Sequence, residues 1–136
     1  MEARVAFPRL NIAGNISFIF DTGADRSLLM PIDSGRLGVD FSRFAITTES
    51  RGIGGLARQF LEPAILAFTE PGVCLHVYFL SLRIATPTPD IADIPSILGR
   101  DIIDRWAVTY DKQNTGLTAE VIQSDMQFPL GGNPIA

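Results

Sequence analysis

The run Phe18-Ile19-Phe20-Asp21-Thr22-Gly23-Ala24-Asp25 ends an apolar stretch on a carboxylate set in a tight turn. Gly23 permits a close backbone approach there, both to the acid and to an extended ligand. Alone, the tripeptide Asp-Thr-Gly is weak, because Asp and Gly are ordinary turn residues that chance combines readily. It gains weight from a second run far downstream, Ile97-Leu98-Gly99-Arg100-Asp101, where two branched apolar residues lead into a glycine and an ion-pairing Arg.

Around these two segments the chain reads as many short strands. Arg4 to Leu10 and Asn15 to Phe20 form a hairpin reversing at Asn11-Ile12-Ala13-Gly14, with Pro8 near an edge. Ser27 to Met30 is a short buried strand, and Pro31 to Leu37 followed by Gly38 carries the start and stop residues of one or two helical turns. Strand pattern runs from Phe44 to Phe68 with a break at Gly52-Ile53-Gly54-Gly55, turns at Thr69-Glu70-Pro71-Gly72 and returns from Val73 to Ile84. Brief helical spacing after Arg100 gives way to a hairpin of Trp106 to Tyr110 and Leu117 to Ile122. Glycine and proline after Ser124 argue against regular structure, so the expected division is one domain over 1–123 and a loosely ordered tail over 124–136.

At 136 residues and 46% hydrophobic composition, the chain can bury one ordinary core and leaves little room for a second. A net charge of -4 with scattered basic residues argues against nucleic acid as a partner. The longest apolar stretch, Val73 to Leu80, is too short to span a bilayer and contains His76, so no membrane partner is expected. The single cysteine, Cys74, cannot close an internal disulfide, and the first residues run into strand pattern without a long apolar leader. A soluble, reducing, cytoplasmic setting is the expectation. Cys74 reads as buried filler, His76 as a structural strand residue and Trp106 as packing. No grouping of His, Cys and acidic residues has metal-site spacing, so neither metal nor cofactor is expected.

Together, Asp21-Thr22-Gly23-Ala24 and Ile97-Leu98-Gly99-Arg100-Asp101 resemble the two motifs of retropepsin-like aspartic proteases, and the order of elements follows that family roughly from Val5 to Ile122. The resemblance implies an all-β fold, the retropepsin-like acid-protease closed barrel, with one short C-terminal helix and a flap hairpin. It implies an aspartic endopeptidase in which two facing carboxyls activate water, with no cofactor and no covalent intermediate. Because the chain carries one Asp-Thr-Gly, and the other acidic residues are read as lying outside any second Asp-Thr-Gly or Asp-Ser-Gly, the second carboxyl is assigned to Asp21 of another copy, and the enzyme to a homodimer.

The same resemblance implies roles for the neighbours. Thr22 bonds across the dimer axis, Gly23 admits the substrate backbone, and Asp25 pairs with Arg100 to tie the loop to the C-terminal helix. Ala24 stands where the two-lobed, pepsin-like relatives often carry a hydroxyl residue. Gly52, Ile53, Gly54 and Gly55 form the expected flap over a peptide or unfolded-protein substrate, with Ile53, Leu56 and Ile97 as pocket walls. Without the resemblance, the glycines read equally well as a hairpin loop, and Asp25 and Arg100 as surface ions. The hairpin from Trp106 to Ile122 is expected to supply much of the dimer interface. The alternative from a different class is a catalytically silent module that keeps the fold for peptide binding or dimerisation.

Overall fold

The computed structural model describes residues 1–52, 55–114 and 116–130, with side chains except at 50–56. Ala3, Val5 and Phe7 point inward while Glu2 and Arg4 face solvent, the period-two pattern that makes β1 (Glu2–Phe7) a half-buried strand. The chain reverses through a 3-10 turn at Pro8–Leu10 into β2 (Ile12–Ser17), with Asn11 left-handed at φ 55°. The reversal therefore comes earlier than expected, because Pro8 opens the turn and Asn tolerates the left-handed region. Gly14 lies inside β2, where a Cβ would sit 2.3 Å from Leu37 Cδ2.

After Phe18 the chain changes partner. Ser17 pairs with Glu2 in β1, whereas Ile19 in β3 (Ile19–Phe20) pairs in parallel with Ile97, far downstream. Next come β4 (Leu28–Leu29) and α1 (Pro31–Leu37), which has proline in its first turn and a left-handed Gly38 after it, as its start and stop residues predict.

Two long strands, β6 (Gly55–Glu70) and β7 (Cys74–Ala85), form the spine and pair antiparallel from Gln59↔Ala85 to Glu70↔Cys74. On one edge, β6 takes β5 (Ile46–Gly52) along its first part and β1 further on. Pro63 lacks an N–H, and it falls between the last β5 partner, Leu61, and the first β1 partner, Ile65. β7 takes β11 (Met126–Pro129) near its start and β4 near its end, and β4 leads on to β8 (Ile97–Leu98). The result is a nine-stranded sheet of order β2-β1-β6-β7-β4-β8-β3, with β5 and β11 as side partners. β9 (Trp106–Asp111) and β10 (Gly116–Val121) make a separate two-stranded ribbon.

Two expectations fail here. The sheet is not a closed barrel: it is open and curled into a half-barrel, its edges 7 Å apart. The cause lies at Phe18, because edge strands β2 and β3 direct their ladders to β1 and β8 respectively. Nor is the fold all-β. Besides α2 (Arg100–Ile103), the helix expected near the C-terminal motif, α1 adds a second helical element and makes the content mixed.

Val5, Phe7, Leu29, Leu66, Ile84 and Leu98 are fully buried between these layers, each contributing about 1.5–3 kcal/mol by leaving water. Tyr78 is buried with them. Its hydroxyl accepts from Trp106 Nε1 at 2.7 Å and donates to the Gln123 carbonyl at 2.8 Å, which satisfies a polar group that would otherwise be costly to bury. Asp125 continues this bracket, accepting from Arg105 Nη2 at 2.7 Å and from the Phe79 N–H at 2.8 Å. So anchored, residues Met126–Pro129 form β11 on the flank of β7, where regular structure was not expected. Pro129 occupies the last position of that ladder.

Candidate active site

β3 delivers Asp21 to a loop that the backbone holds at both ends. The Asp21 N–H donates to the Leu98 carbonyl at 3.0 Å, and the Ala24 N–H closes the turn on the Asp21 carbonyl at 3.2 Å. The Gly23 N–H then donates to Asp21 Oδ1 at 2.9 Å and fixes the carboxylate. A Cβ on Gly23 would stand 3.2 Å from that same oxygen, a tight contact that glycine avoids. Asp21 is half-buried, whereas Thr22, Gly23 and Asp25 are exposed. The loop therefore presents its outer face to whatever lies beyond the protomer.

Behind the loop stands the segment leading into α2. Arg100 N–H donates to the Ala24 carbonyl at 2.8 Å and Asp101 N–H to the Asp25 carbonyl at 3.2 Å. Asp101 also accepts from the Ser27 N–H at 2.9 Å and the Ser27 hydroxyl at 2.7 Å, and Ser27 Oγ in turn accepts from the Gly99 N–H at 3.0 Å. Gly99 has no room for a side chain, since a Cβ would meet the Arg26 carbonyl carbon at 2.5 Å and its oxygen at 2.6 Å. Arg100 and Asp25 form an ion pair on the outside. With Asp25 79% and Arg100 47% exposed, water screens that pair, and it orients the loop more than it stabilises the fold.

Asp21, Thr22, Gly23, Ala24, Asp25 and Arg100 thus come together, and Ile97 lies beside them, paired with Ile19 and Leu28. Of the expected flap, Ile53 and Gly54 lie outside the described residues, as does the side chain of Leu56. The hairpin that carries them is formed, with Gly52 paired to Gly55. Its outer part overhangs the sheet, because the β6 to β7 ladder begins only at Gln59. The root of this overhang and strand β4 share one end of β7, so hairpin and Asp21 loop belong to the same end of the sheet.

Ser27, Gly99 and Asp101 went unassigned in the sequence, although all three lie in quoted runs. The reading that no other acid sits in such a tripeptide is wrong, since Asp33-Ser34-Gly35 is an Asp-Ser-Gly. It lies within α1 with Asp33 8% and Ser34 0% exposed. The Asp33 carboxylate is taken up by the Ser96 hydroxyl at 2.5 Å and by Arg36 at 3.2 Å. Held inside a helix and already bonded, it is not placed to face Asp21 as an intrachain partner.

Cys74 and His76 lie on β7, but the expectation that no His, Cys and acidic residues group together fails here. They meet side by side with Glu70, His76 Nε2 lying 3.1 Å from Cys74 Sγ and 2.9 Å from Glu70 Oε2. Partial burial and the negative charge of Glu70 push the Cys74 thiol up, the opposite of what an activated nucleophile requires. A groove of about 390 Å³ adjoins this cluster and not the Asp21 loop. Among the described residues no helix is long and apolar enough to cross a membrane.

Solved structures with a similar fold include EIAV protease complexed with the inhibitor HBY-793, at a TM-score of 0.51 and 20% identity, covering 76% of this chain and 83% of that one. They also include a retropepsin-like aspartic protease from Rickettsia conorii, at a TM-score of 0.50 and 19% identity, covering 86% of this chain and 87% of that one. At this level of identity the likeness is one of fold, and the chain has the retropepsin-like aspartic-protease fold. No protein-family model and no curated protein matches it.

Proposed function

We propose that the chain is an aspartic endopeptidase of the retropepsin type, active as a homodimer with Asp21 of each copy forming the catalytic pair. The observation that carries this reading is the Asp21 carboxylate itself, pinned by the Gly23 N–H on a braced, outward-facing loop of this fold. Two such loops meeting on a two-fold axis bring the carboxyls face to face. Close carboxyls share one proton, because ionising both is costly, and they titrate as a unit. One then takes a proton from water while the other polarises the peptide carbonyl.

The remaining parts have consistent roles in such a dimer. Thr22 is exposed and free to bond across the axis, and Ile97 borders the loop as a pocket wall. The overhanging β5 to β6 hairpin, with Gly52 and Gly55 at its end, acts as the lid over an extended peptide. Tyr110 and Ile122, each 72% exposed on or beside the β9 to β10 ribbon, offer apolar surface for the second copy.

The test is cleavage of a denatured protein or peptide library, with sedimentation run on the same sample. Wild-type protein is expected to cleave as a dimer, to be blocked by pepstatin-type inhibitors, and to lose at least about 100-fold in rate on Asp21→Asn. Full activity in that variant, or an inert wild-type dimer, would sink the proposal.

A further inference from the structure

At the other end of the β6 to β7 pair, strand register gathers three unlike donor groups. Glu70 and Cys74 are cross-strand partners on either side of the turn, so their side chains leave the same face. His76 joins them because side chains along a strand repeat every two residues. The donor atoms of carboxylate, thiol and imidazole all lie within 4.8 Å of one another, and His76 is only 5% exposed.

Nε2 of His76 offers one proton or one lone pair, according to the tautomer, and Glu70 and Cys74 compete for it. Carrying the proton, Nε2 serves Glu70 and meets Cys74 with a donor already engaged. Bare, it accepts from the thiol and faces an anionic carboxylate. A cation set between them satisfies all three groups at once.

We propose that Glu70, Cys74 and His76 bind one divalent cation of the zinc class. A mixed sulfur, nitrogen and oxygen set suits such a borderline metal better than calcium or magnesium, which take oxygen ligands. Tetrahedral bonds of about 2.0–2.3 Å hold ligand atoms roughly 3.3–3.8 Å apart, so small side-chain rotations open the present contacts enough to seat the ion. Nδ1 of His76 faces the Ser124 hydroxyl at 3.4 Å, the kind of outer contact that orients a ligating imidazole. Glu70 and His76 line the groove of about 390 Å³ together with Phe68 and Trp106. That groove gives the ion a way in and leaves its fourth position to water. Because β11 pairs with β7 from Cys74 to Val77, the bound ion also tightens the hold on the C-terminal strand. None of this depends on the role of Asp21.

The experiment uses metal-stripped, full-length chain titrated with zinc, and with cobalt as a coloured substitute. Binding of one zinc per chain is expected, with a thiolate-to-cobalt absorption band and protection of the single cysteine from alkylation. Cys74→Ser and His76→Ala are each expected to weaken zinc at least about 100-fold, more than loss of an outer contact usually costs, while Asp21→Asn leaves binding unchanged. Absence of the band and of protection in wild-type protein overturns the proposal. So does equal affinity in the folded variants, which would mark an adventitious surface ion only. Should the variants fail to fold, the wild-type band and protection decide alone.

Discussion

Two clasps hold this chain together, and they are built differently. Around Asp21 the clasp is mainly backbone: carbonyls of Ala24 and Asp25 receive the Arg100 and Asp101 N–H groups, and Gly99 lies against the Arg26 main chain with no space to spare. Around the C-terminal strand the clasp is largely charge, with Arg105 between Asp125 and the Tyr78 ring, 4.8 Å from its centroid. The first is mainly steric and short-range, with the Asp101 carboxylate and the exposed Asp25–Arg100 pair added to it. The second is partly open to solvent and depends on the ionisation of one carboxyl. A site-bearing loop held mainly by shape and a terminal strand held largely by charge respond to different insults.

The comparison breaks most sharply at Gly99. Gly99→Ala is expected to cost about 3 kcal/mol or more, because the new methyl meets backbone and not a movable side chain. Urea unfolding measures that loss, and a midpoint close to wild type would show that the loop yields where we describe it as tight.

A smaller effect belongs to the other clasp. The Arg105 guanidinium first, and then the Phe79 N–H, hold the Asp125 carboxyl below its ordinary range. A carboxyl depressed in the folded state stabilises above its unfolded value of about 4 and loses that contribution as pH falls through the folded value. Melting temperatures of wild type and Asp125→Asn are therefore expected to differ at neutral pH and to converge below about pH 4. Parallel curves down to strong acid would remove the charge from this account. The least effect is expected for Asp25→Asn, whose exposed pair with Arg100 contributes less than about 1 kcal/mol to stability. Thermal melting measures it, and a large fall would mean that the pair stabilises as well as orients.

Much of the Asp21 loop was legible because its chemistry is contiguous: an apolar lead-in, an acid, a hydroxyl and a glycine in a row. Asp25 and Arg100 were paired correctly on the strength of the resemblance, and α1 on its Pro31 and Gly38. Other features needed contacts that a linear reading does not contain. Gly99 is required by the Arg26 main chain, and Asp101 acts on Ser27 across 74 positions. Closure of the sheet turned on which way hydrogen bonds point either side of Phe18, a matter of register and not of composition. The Glu70, Cys74 and His76 group was within reach, since the turn expected at Thr69 to Gly72 lies one residue from the one that Val73 N–H closes on the Glu70 carbonyl, and period two does the rest. It was missed because spacing was judged along the chain and not across the hairpin.

The brace behind Asp21 also sets an order of events during synthesis. A nascent chain leaving the ribosome carries its acidic loop early, yet the Gly99 to Asp101 segment that shapes that loop emerges some seventy-four positions after Ser27. Until then the loop lacks the partners of Ala24, Asp25 and Ser27 that brace it, so its final shape waits on the far end of the chain.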